Sequence, residues 1–404
     1  MSNMLHIDSP VLFDESIIQY DIHSHQPYNL TTFNNGDEIR IAIQQQDVCL
    51  LPSKSSLHVY GRLKKANAEA ATERTNLVNN AICHMFREMR YELNSVEIDR
   101  NKNVGITSLM KNYVSLSPQQ NNYLINANWI GVSDTKLTDA SGYFDVTIPM
   151  SHLFGFAEDY NRIVVNAKHE LILIRANDDK NAVLRTGEAD EDFKIVISKI
   201  EWLMPYVKLS DRNKIKLLDF VAKDKPIAMS FRTWDLYEYP ILPITMRHIW
   251  IVMSSSQLEK PRYIILGFQT DRKSNNKDAS LFDHCNIRDV KVFLNSVAFP
   301  YTSMNLDFDH NQFAILYEMY SNFQPVYYDK KATPFLSKED FSNKAPLFAI
   351  DCTKQNESLK SGPVDIRLEI EAVNNFPAGT TAYCLIIHDR IVEYTPISNI
   401  VKKL

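Results

Sequence analysis

YELNSVEID, residues 91–99, contains the letters Leu-Asn-Ser-Val, and KVFLNSVAFP, residues 291–300, contains them again. The two copies stand about 200 residues apart in a chain of 404, which is the spacing that two tandem copies of one domain would give. A strand-like run with a glycine near its end precedes each copy, as LHVYGRL at 57–63 and YIILGFQ at 263–269. The order of elements is therefore duplicated, and we predict two similar domains.

A short amphipathic helix is predicted after each copy. Apolar residues at positions i, i+3, i+4 and i+7 line one face of an α-helix, because the helix repeats every 3.6 residues. Both halves show this spacing, with Ile106, Leu109, Met110 and Tyr113 in the first half and Leu316, Met319, Tyr320 and Phe323 in the second. The helices extend the duplication beyond the four shared letters.

Most of the remaining apolar pattern has period two, as in half-buried antiparallel strands. In DEIRIAIQQQDV, residues 37–48, the residues Ile39, Ile41 and Ile43 would face one side of a strand and the polar residues the other. Similar runs stand at 143–150, 170–176, 193–204, 228–239, 248–256, 364–373 and 381–394. We predict roughly eight strands in each half.

Long helices are scarce. The most helix-like stretch outside the repeats is 67–89, part of which could instead be a loop followed by a strand. Strands do not alternate with long helices, which argues against a doubly wound parallel sheet. We predict an all-β fold of two tandem eight-stranded antiparallel jelly-roll β-sandwiches, a double jelly roll with short helices in the loops.

The predicted organisation is an N-terminal segment at 1–30, a first jelly roll at 31–210 and a second at 211–404. The boundary is placed within 207–225, where KLSDRNKIKLLDFVAKDKP loses the period-two pattern. A chain of this length suits two domains rather than one core. The apolar share of 45% allows each half a core of its own.

Charge and cysteine content exclude several classes. The formal charge of -5 gives no broad basic surface, which disfavours an ordinary nucleic-acid-binding protein.

No run approaches the roughly 18 apolar residues that would span a bilayer, and the first residues do not form a secretory signal, so we expect an intracellular, soluble chain without membrane insertion. The cysteines are odd in number and far apart, and we predict buried free thiols. They are Cys49, Cys83, Cys285, Cys352 and Cys384.

His23 and His25 have the H-x-H spacing by which neighbouring residues of one strand bind a metal in cupin-type jelly rolls. Their flank, YDIHSHQPYNL at 20–30, shows no apolar alternation, and no further His and Glu ligands follow at the expected distance. A solvated loop is the simpler interpretation. A bicupin enzyme that uses both histidines stays open as an alternative.

LDFDHNQFAILYE, residues 306–318, partly resembles an EF-hand calcium loop. The residues at loop positions 1, 3, 5 and 12 are Asp307, Asp309, Asn311 and Glu318. Position six requires a glycine for the sharp turn and is Gln312 here. An acidic helix cap, with Asp309 or Asn311 against free backbone amides, explains the same letters, and we predict no calcium site.

Motifs for nucleophilic, zinc-hydrolase and phosphate-loop chemistry do not occur in the sequence. Glu369 and Glu371 could suggest a pair of glycosidase carboxylates, but residues two apart on a strand more often form a solvated face. The basic doublets are too short for an electrostatic arm. They are Lys64-Lys65, Lys330-Lys331 and Lys402-Lys403. We predict no catalytic, cofactor or metal site, and a chain that is not an enzyme.

Two stretches, 33–63 and 89–117, resemble the double jelly-roll major capsid protein of Polinton (Maverick) elements and the related adintoviruses. The shared letters are N-N-G-D-x-I-R-I at 34–41, Q-Q-D at 45–47 and L-P-S at 51–53, and YELNSVEIDRNKNVGITS at 91–108 is more specific. The similarity extends through VKVFLNSVAFPY at 290–301 to VNNFPAGTTAYCLIIHDRIVEY at 373–394, and so covers nearly the whole chain.

The resemblance implies a homotrimer that contributes six sandwiches with a pseudo-hexagonal outline to an icosahedral shell. It implies neighbouring capsomers, single jelly-roll penton proteins and minor capsid proteins as partners, and no sequence-specific binding of nucleic acid. The chain would then be part of the virion capsid, assembled in the host cytoplasm or nucleus. The aromatics of TWDLYEYP at 233–240 and QPVYYD at 324–329 could contribute to subunit interfaces or to core packing at strand ends. A tandem jelly-roll module that binds carbohydrate or a receptor is the main alternative.

Overall fold

The computed structural model of the chain describes residues 16–29, 31–44, 49–65, 75–131, 136–186, 192–252, 261–272, 276–295, 297–354 and 365–404. The first half consists mainly of strands. They are β1 (Ile17–His25), β2 (Glu38–Ile43), β3 (Cys49–Leu50), β4 (Ser56–Lys65), β5 (Thr75–Leu77), β6 (Phe86–Leu93), β7 (Val96–Lys102), β8 (Tyr143–Pro149), β9 (Val164–Val165), β10 (His169–Arg175), β11 (Val183–Arg185) and β12 (Phe193–Leu209). Its helices are α1 (Ala81–His84), α2 (Val104–Ser115), α3 (Asn121–Ile125) and α4 (Gly155–Asp159).

Helix α5 (Asp211–Val221) leads into the second half. The strands of that half are β13 (Ile227–Tyr239), β14 (Arg247–Val252), β15 (Pro261–Thr270), β16 (Ile287–Leu294), β17 (Val297–Phe299), β18 (Phe348–Asp351), β19 (Ile366–Ala372), β20 (Thr380–Thr395) and β21 (Ile400–Lys403). Its helices are α6 (Ala314–Tyr328) and α7 (Lys338–Lys344). No helix in the described parts of the chain has both the length and the apolar character needed to cross a bilayer.

Each half is a sandwich of two antiparallel sheets, and the strand order is the same in both. In the first half, the sheet β1-β12-β4-β8 packs on the sheet β2-β10-β6-β7. In the second half, β13-β20-β15-β18 packs on β14-β19-β16-β17. The short strands β3, β9 and β21 extend the β12 and β20 sheets, and β5 pairs with β11. The predicted double jelly roll is confirmed.

The predicted alternation of buried and half-buried residues sets the register of these strands. In β2, Ile39, Ile41 and Ile43 are buried between the sheets, while the residues between them are half-buried. Alternation of this kind fixes the register, because a slip of one residue would turn every buried side chain to solvent. Strand β2 accordingly pairs with β10 so that Ile41 lies opposite Leu171.

The repeated letters lie at the end of the same β-hairpin in both halves, between β6 and β7 and between β16 and β17, and Ser296 of the second copy lies outside the described residues. Asn94 and Asn295 both adopt the left-handed backbone conformation, with φ of 49° and 55°. In the first half, the Asn94 amide donates to the Lys168 carbonyl, and Asn94 Oδ1 accepts from the Lys168 amide, both at 2.8 Å. In the second half, Asn295 makes the same pair of bonds with Asp365, at 2.9 and 3.0 Å. The repeat thus marks one hydrogen-bond pattern that ties each hairpin to the strand beside it.

We expect Asn94→Ala and Asn295→Ala each to lower the free energy of unfolding by about 2 kcal/mol. Each substitution removes a side-chain hydrogen bond and puts alanine into the left-handed region, which asparagine adopts more readily because its short polar side chain bonds locally, and each change costs on the order of 1 kcal/mol. Asn94→Gly tolerates the backbone conformation and is expected to lose only the hydrogen-bond part. Denaturant titrations of the three variants check this, and an alanine variant as stable as the wild type would contradict it.

The two sandwiches share their cores across the junction. Helix α2 of the first half contributes Ile106, Leu109 and Tyr113 to the core cluster of the second half. In return, Met229 and Tyr394 of the second half belong to the core cluster of the first. The two halves are therefore not separate bodies joined by a linker.

Helices α2 and α6, which the sequence predicted after each repeat, contact one another at this junction. The Tyr320 hydroxyl donates to the Tyr113 carbonyl at 3.0 Å, and Gln324 Nε2 donates to the Leu116 carbonyl at 2.8 Å. The apolar stripe of α2 is buried as predicted, and in α6 Leu316, Tyr320 and Phe323 are buried. The duplicated helices are thus one of the contacts between the duplicated sandwiches.

One local prediction holds in its alternative form, and one is wrong. In residues 75–89, strand β5, the single helical turn α1 and the start of strand β6 follow one another, so this part of the helix-like stretch ends in a strand, and residues 67–74 lie outside the described residues. The stretch around His23 and His25 is strand β1 rather than a loop, because Ile17–His25 pairs with β12 from Leu209 to Trp202. All five cysteines are buried with free thiols, as predicted.

Candidate functional site

Lys111 lies at the centre of a polar cluster between the two sandwiches. Its side chain is 1% exposed, and Nζ donates to Glu158 Oε1 at 2.8 Å and to the Tyr328 hydroxyl at 2.7 Å. The ammonium also lies 4.7 Å from the ring centroids of Trp234 and Tyr327. Burial lowers the pKa of Lys111, and the neighbouring Glu158 carboxylate opposes that shift. Because the Lys111 ammonium contacts a carboxylate of the first half and aromatic side chains of the second, it stabilises the junction between the two sandwiches.

Arg232 of β13 forms the second ion pair of this cluster. Its guanidinium donates to both carboxylate oxygens of Asp159, at 2.6 and 2.8 Å, and its backbone amide donates to Asp159 Oδ2. The guanidinium also lies 3.5 Å from the Tyr327 ring centroid and donates to the Tyr327 carbonyl. Bidentate pairing of this kind fixes orientation as well as charge. Helix α4 is therefore held against β13 by directed contacts.

Asp99 of the repeat region also bridges the halves. It is fully buried and accepts hydrogen bonds from the Thr233 hydroxyl at 2.6 Å and from the Phe156 amide at 2.9 Å. Burial raises the pKa of Asp99 from 3.8 to about 6, although these hydrogen bonds and the charge of Arg390 act in the opposite direction. The folded state therefore holds the Asp99 proton more tightly than the unfolded chain does.

This pKa shift predicts a pH dependence of stability. The stabilisation from protonated Asp99 is complete below pH 3.8 and is lost as the pH rises to about 6. We compare the free energy of unfolding of the wild type with that of Asp99→Asn, which does not titrate. Relative to the variant, the free energy of unfolding of the wild type should rise by about 1–3 kcal/mol when the pH is lowered from 7 to 4. A difference that is the same at both pH values would contradict the assignment.

The second half exposes an apolar surface around its edge strand β14. Ile249 and Ile251 point away from the core and are 50% and 70% exposed. Further exposed apolar residues precede β14 or follow β19; they are Ile241, Ile244, Met246 and Val373. We call this surface the β14 face. Exposed apolar edge strands are sites where another chain pairs or packs.

The first half exposes a second apolar surface on its own edge strand, β1. The strand is exposed on both faces, and only its pairing with β12 attaches it to the sheet described here. Its exposed apolar residues are Ile17, Ile18, Tyr20 and Ile22. We call this surface the β1 face. A strand uncovered on both faces gains little from its own sandwich and is suited to burial by another chain.

The structure does not bring the histidine pair into a metal site. His23 stacks on Tyr206 with ring centroids 4.0 Å apart, and His25 Nε2 lies 3.0 Å from the Tyr206 hydroxyl. Burial, with a contribution from His23, lowers the pKa of His25. Within the described residues, no group of three or more His, Cys, Asp and Glu side chains is placed to hold a metal ion. The two histidines instead pack on β12.

The calcium-like stretch forms a turn rather than a helix cap. The imidazole Nδ1 of His310 lies 2.7 Å from Asp307 Oδ2, and the His310 amide donates to Asp307 Oδ1. Helix α6 begins at Ala314 after Phe313, and no side chain caps it. The expected cap by Asp309 or Asn311 is therefore wrong, because Asn311 closes the turn in a left-handed conformation.

The remaining candidates have structural surroundings. Glu369 and Glu371 lie half-buried on β19, and Glu369 pairs with Arg247 at 3.1 Å and with Arg367 at 3.4 Å. Lys64-Lys65 ends β4, Lys330-Lys331 follows α6, and Lys402-Lys403 lies in β21. Of the aromatics considered for interfaces, Trp234 and Tyr327 are buried at the junction, so they belong to core packing.

Sequence reasoning did not identify either exposed face. The signal for the β14 face is the run HIWIV, in which Ile249 and Ile251 alternate with the buried Trp250 and Val252. Both sides of this strand are apolar, although one side faces solvent. The junction cluster left no signal, because Lys111, Glu158 and Tyr328 are far apart in the sequence.

Comparisons with known proteins agree with this architecture. Residues 75–392 match the family model of the double jelly roll-like domain. No curated protein sequence matches the chain. Among solved structures, a chain of the Sputnik virophage, solved by cryo-electron microscopy, is similar with a TM-score of 0.66 and 8% identity, over 100% of this chain and 92% of that chain.

Two further structures show the same fold. A chain of the PBCV-1 virus capsid has a TM-score of 0.60 and 9% identity, over 98% of both chains. The mavirus major capsid protein has a TM-score of 0.55 and 11% identity, over 95% of this chain and 90% of that chain. At these identities the likeness establishes the fold.

Proposed function

We propose, from the premise that this chain belongs to the double jelly roll-like domain family, that it is a major capsid protein. In this proposal the chain self-assembles into pseudo-hexameric homotrimers that tile the icosahedral shell of a Polinton-like double-stranded DNA virus or element. The mavirus and Faustovirus proteins of the same fold are described as major capsid proteins, which supports the shell-building role. The Polinton origin is supported by the sequence resemblance at 34–41 and 91–108.

The observation that carries the proposal is the matching strand order of two sandwiches in one chain. Three copies of such a chain present six similar units around a threefold axis, so a trimer can occupy a six-sided lattice position. The shared cores hold the two sandwiches in a fixed relation, as a rigid building unit requires. Neighbouring capsomers, penton proteins and minor capsid proteins would then be its partners in the virion.

We place the subunit contacts on the two exposed apolar faces. A closed trimer needs two different surfaces on each chain, because each copy meets its neighbours in a head-to-tail arrangement. The β14 face lies on the second sandwich and the β1 face on the first, so they can meet between successive copies. Burial of exposed isoleucines contributes about 25 cal/mol per Å² of apolar surface. We also propose domain bounds of 31–210 for the first jelly roll, which the predicted N-terminal segment 1–30 joins through the pairing of β1 with β12, and of 211–404 for the second, which α5 opens.

The experiment is the native mass of the full chain by mass photometry at micromolar concentration. The wild type is expected at the mass of three 46.6 kDa chains or of larger closed shells. The double variants Ile249→Glu/Ile251→Glu and Ile18→Glu/Ile22→Glu are each expected to give folded monomers, since they place charge in a buried contact. Ile397→Glu, an exposed isoleucine outside both faces, is the control and should keep the wild-type mass.

The outcomes separate the rival functions. A stable monomer with saturable affinity for sugars would favour the tandem jelly-roll binding module. Trimers that both double variants leave intact would place the subunit contacts elsewhere on the chain.

A further inference from the structure

A cavity of about 710 Å³ lies between the two sandwiches and is lined by both. The first half contributes Ser53 and Lys54 from the turn before β4, and the second half contributes Lys330, Lys331 and Thr333 from the segment after α6. This volume is within the range of about 300–1,000 Å³ that is typical of small-ligand sites. The cavity lies within a single chain, so its role does not depend on the proposed function.

The charges that line the cavity do not balance. No ion pair joins Lys54, Lys330 or Lys331 to any residue in the described part of the chain. The two carboxylates of the lining are already engaged, Glu158 by Lys111 and Asp159 by Arg232. Three exposed lysines from two different sandwiches therefore line one cavity without a carboxylate partner of their own, and Lys330 Nζ lies 5.2 Å from the Tyr328 ring centroid.

We propose that this cavity binds a small anion with two or more phosphate groups, which bridges Lys54 of the first sandwich and Lys330 and Lys331 of the second. A phosphate group carries about 1.5–2 negative charges at neutral pH, so a diphosphate can balance three ammonium groups where a single carboxylate cannot. Because the ligand contacts both halves, binding stabilises the junction and raises the melting temperature.

The test uses the full chain with inorganic pyrophosphate at constant ionic strength, by isothermal titration and thermal unfolding. We expect saturable binding and a rise in melting temperature with ligand concentration. Lys330→Gln/Lys331→Gln and Lys54→Gln should each weaken binding at least tenfold. Lys402→Gln/Lys403→Gln, a doublet in β21 away from the cavity, is the matched control and should bind as the wild type does.

Parallel titrations with ATP and a short single-stranded DNA distinguish the sources of phosphate. Binding of pyrophosphate and ATP that depends on the three cavity lysines supports the proposal. The proposal is overturned if pyrophosphate shows no saturable binding, if the lysine variants bind it as tightly as the control, or if only the DNA binds.

Discussion

Gly155→Ala is expected to lower the free energy of unfolding by at least about 3 kcal/mol, the upper range for overpacking. A Cβ atom at Gly155 would lie 1.5 Å from the Arg232 carbonyl oxygen and 2.7 Å from its carbonyl carbon. Both are backbone atoms of β13, so the clash is relieved only if α4 moves away from that strand. The same movement would strain the Asp159 pair with Arg232 and the Phe156 hydrogen bond to Asp99. One methyl group would therefore loosen the junction between the sandwiches.

The matched control is Gly36→Ala. A Cβ atom at Gly36 would meet no atom within 4 Å, but the backbone has a φ of +80°, so only conformational strain of about 1–2 kcal/mol is expected. Unfolding in denaturant gives the free energy of unfolding of both variants. If Gly155→Ala is poorly soluble, pulse proteolysis gives the same quantity. A Gly155→Ala protein as stable as Gly36→Ala would show that α4 does not pack against β13 as described.

Lys111→Met is expected to cost about 3–5 kcal/mol, which is the usual loss when one partner of a buried ion pair is removed. Methionine keeps most of the alkyl chain, so the loss comes from the charge and its hydrogen bonds. The substitution leaves the Glu158 carboxylate among Tyr327 and Tyr328 without its ammonium partner. The cost arises from this stranded charge.

A double-mutant cycle isolates that contribution. Glu158→Gln removes the stranded charge, so Lys111→Met/Glu158→Gln should recover a large part of the stability lost in Lys111→Met alone. The free energies of unfolding of the wild type and the three variants, measured in denaturant, complete the cycle. Strictly additive losses would mean that the two side chains do not interact.

The sheets could be predicted from the sequence because their cause is local. Alternation in β2 and the repeated Leu-Asn-Ser-Val both follow from short-range rules, one for half-buried strands and one for a tight turn. The repeated asparagine can be recognised in the sequence, but its hydrogen bond to Lys168 or to Asp365 cannot be predicted from it. The order of the strands and turns can thus be predicted from the sequence, while the long-range contact that requires a particular residue at one position cannot.

The junction could not be predicted, because its contacts join distant parts of the chain. Asp99 bonds Thr233 of the other sandwich, and Lys111 bonds Tyr328. Neither Asp99 nor Lys111 belongs to a sequence pattern that would distinguish it from the residues beside it. The error at His23 and His25 has a different origin. Ile18, Tyr20 and Ile22 do alternate with polar residues in β1, but this pattern begins before the stretch 20–30 and continues only as far as His23.

Single-particle imaging of the purified wild-type chain at micromolar concentration tests the central claim most directly. The account predicts particles of three chains with threefold symmetry and six density lobes, one for each sandwich. Particles that contain a single chain with two lobes, and no larger species at this concentration, would contradict it.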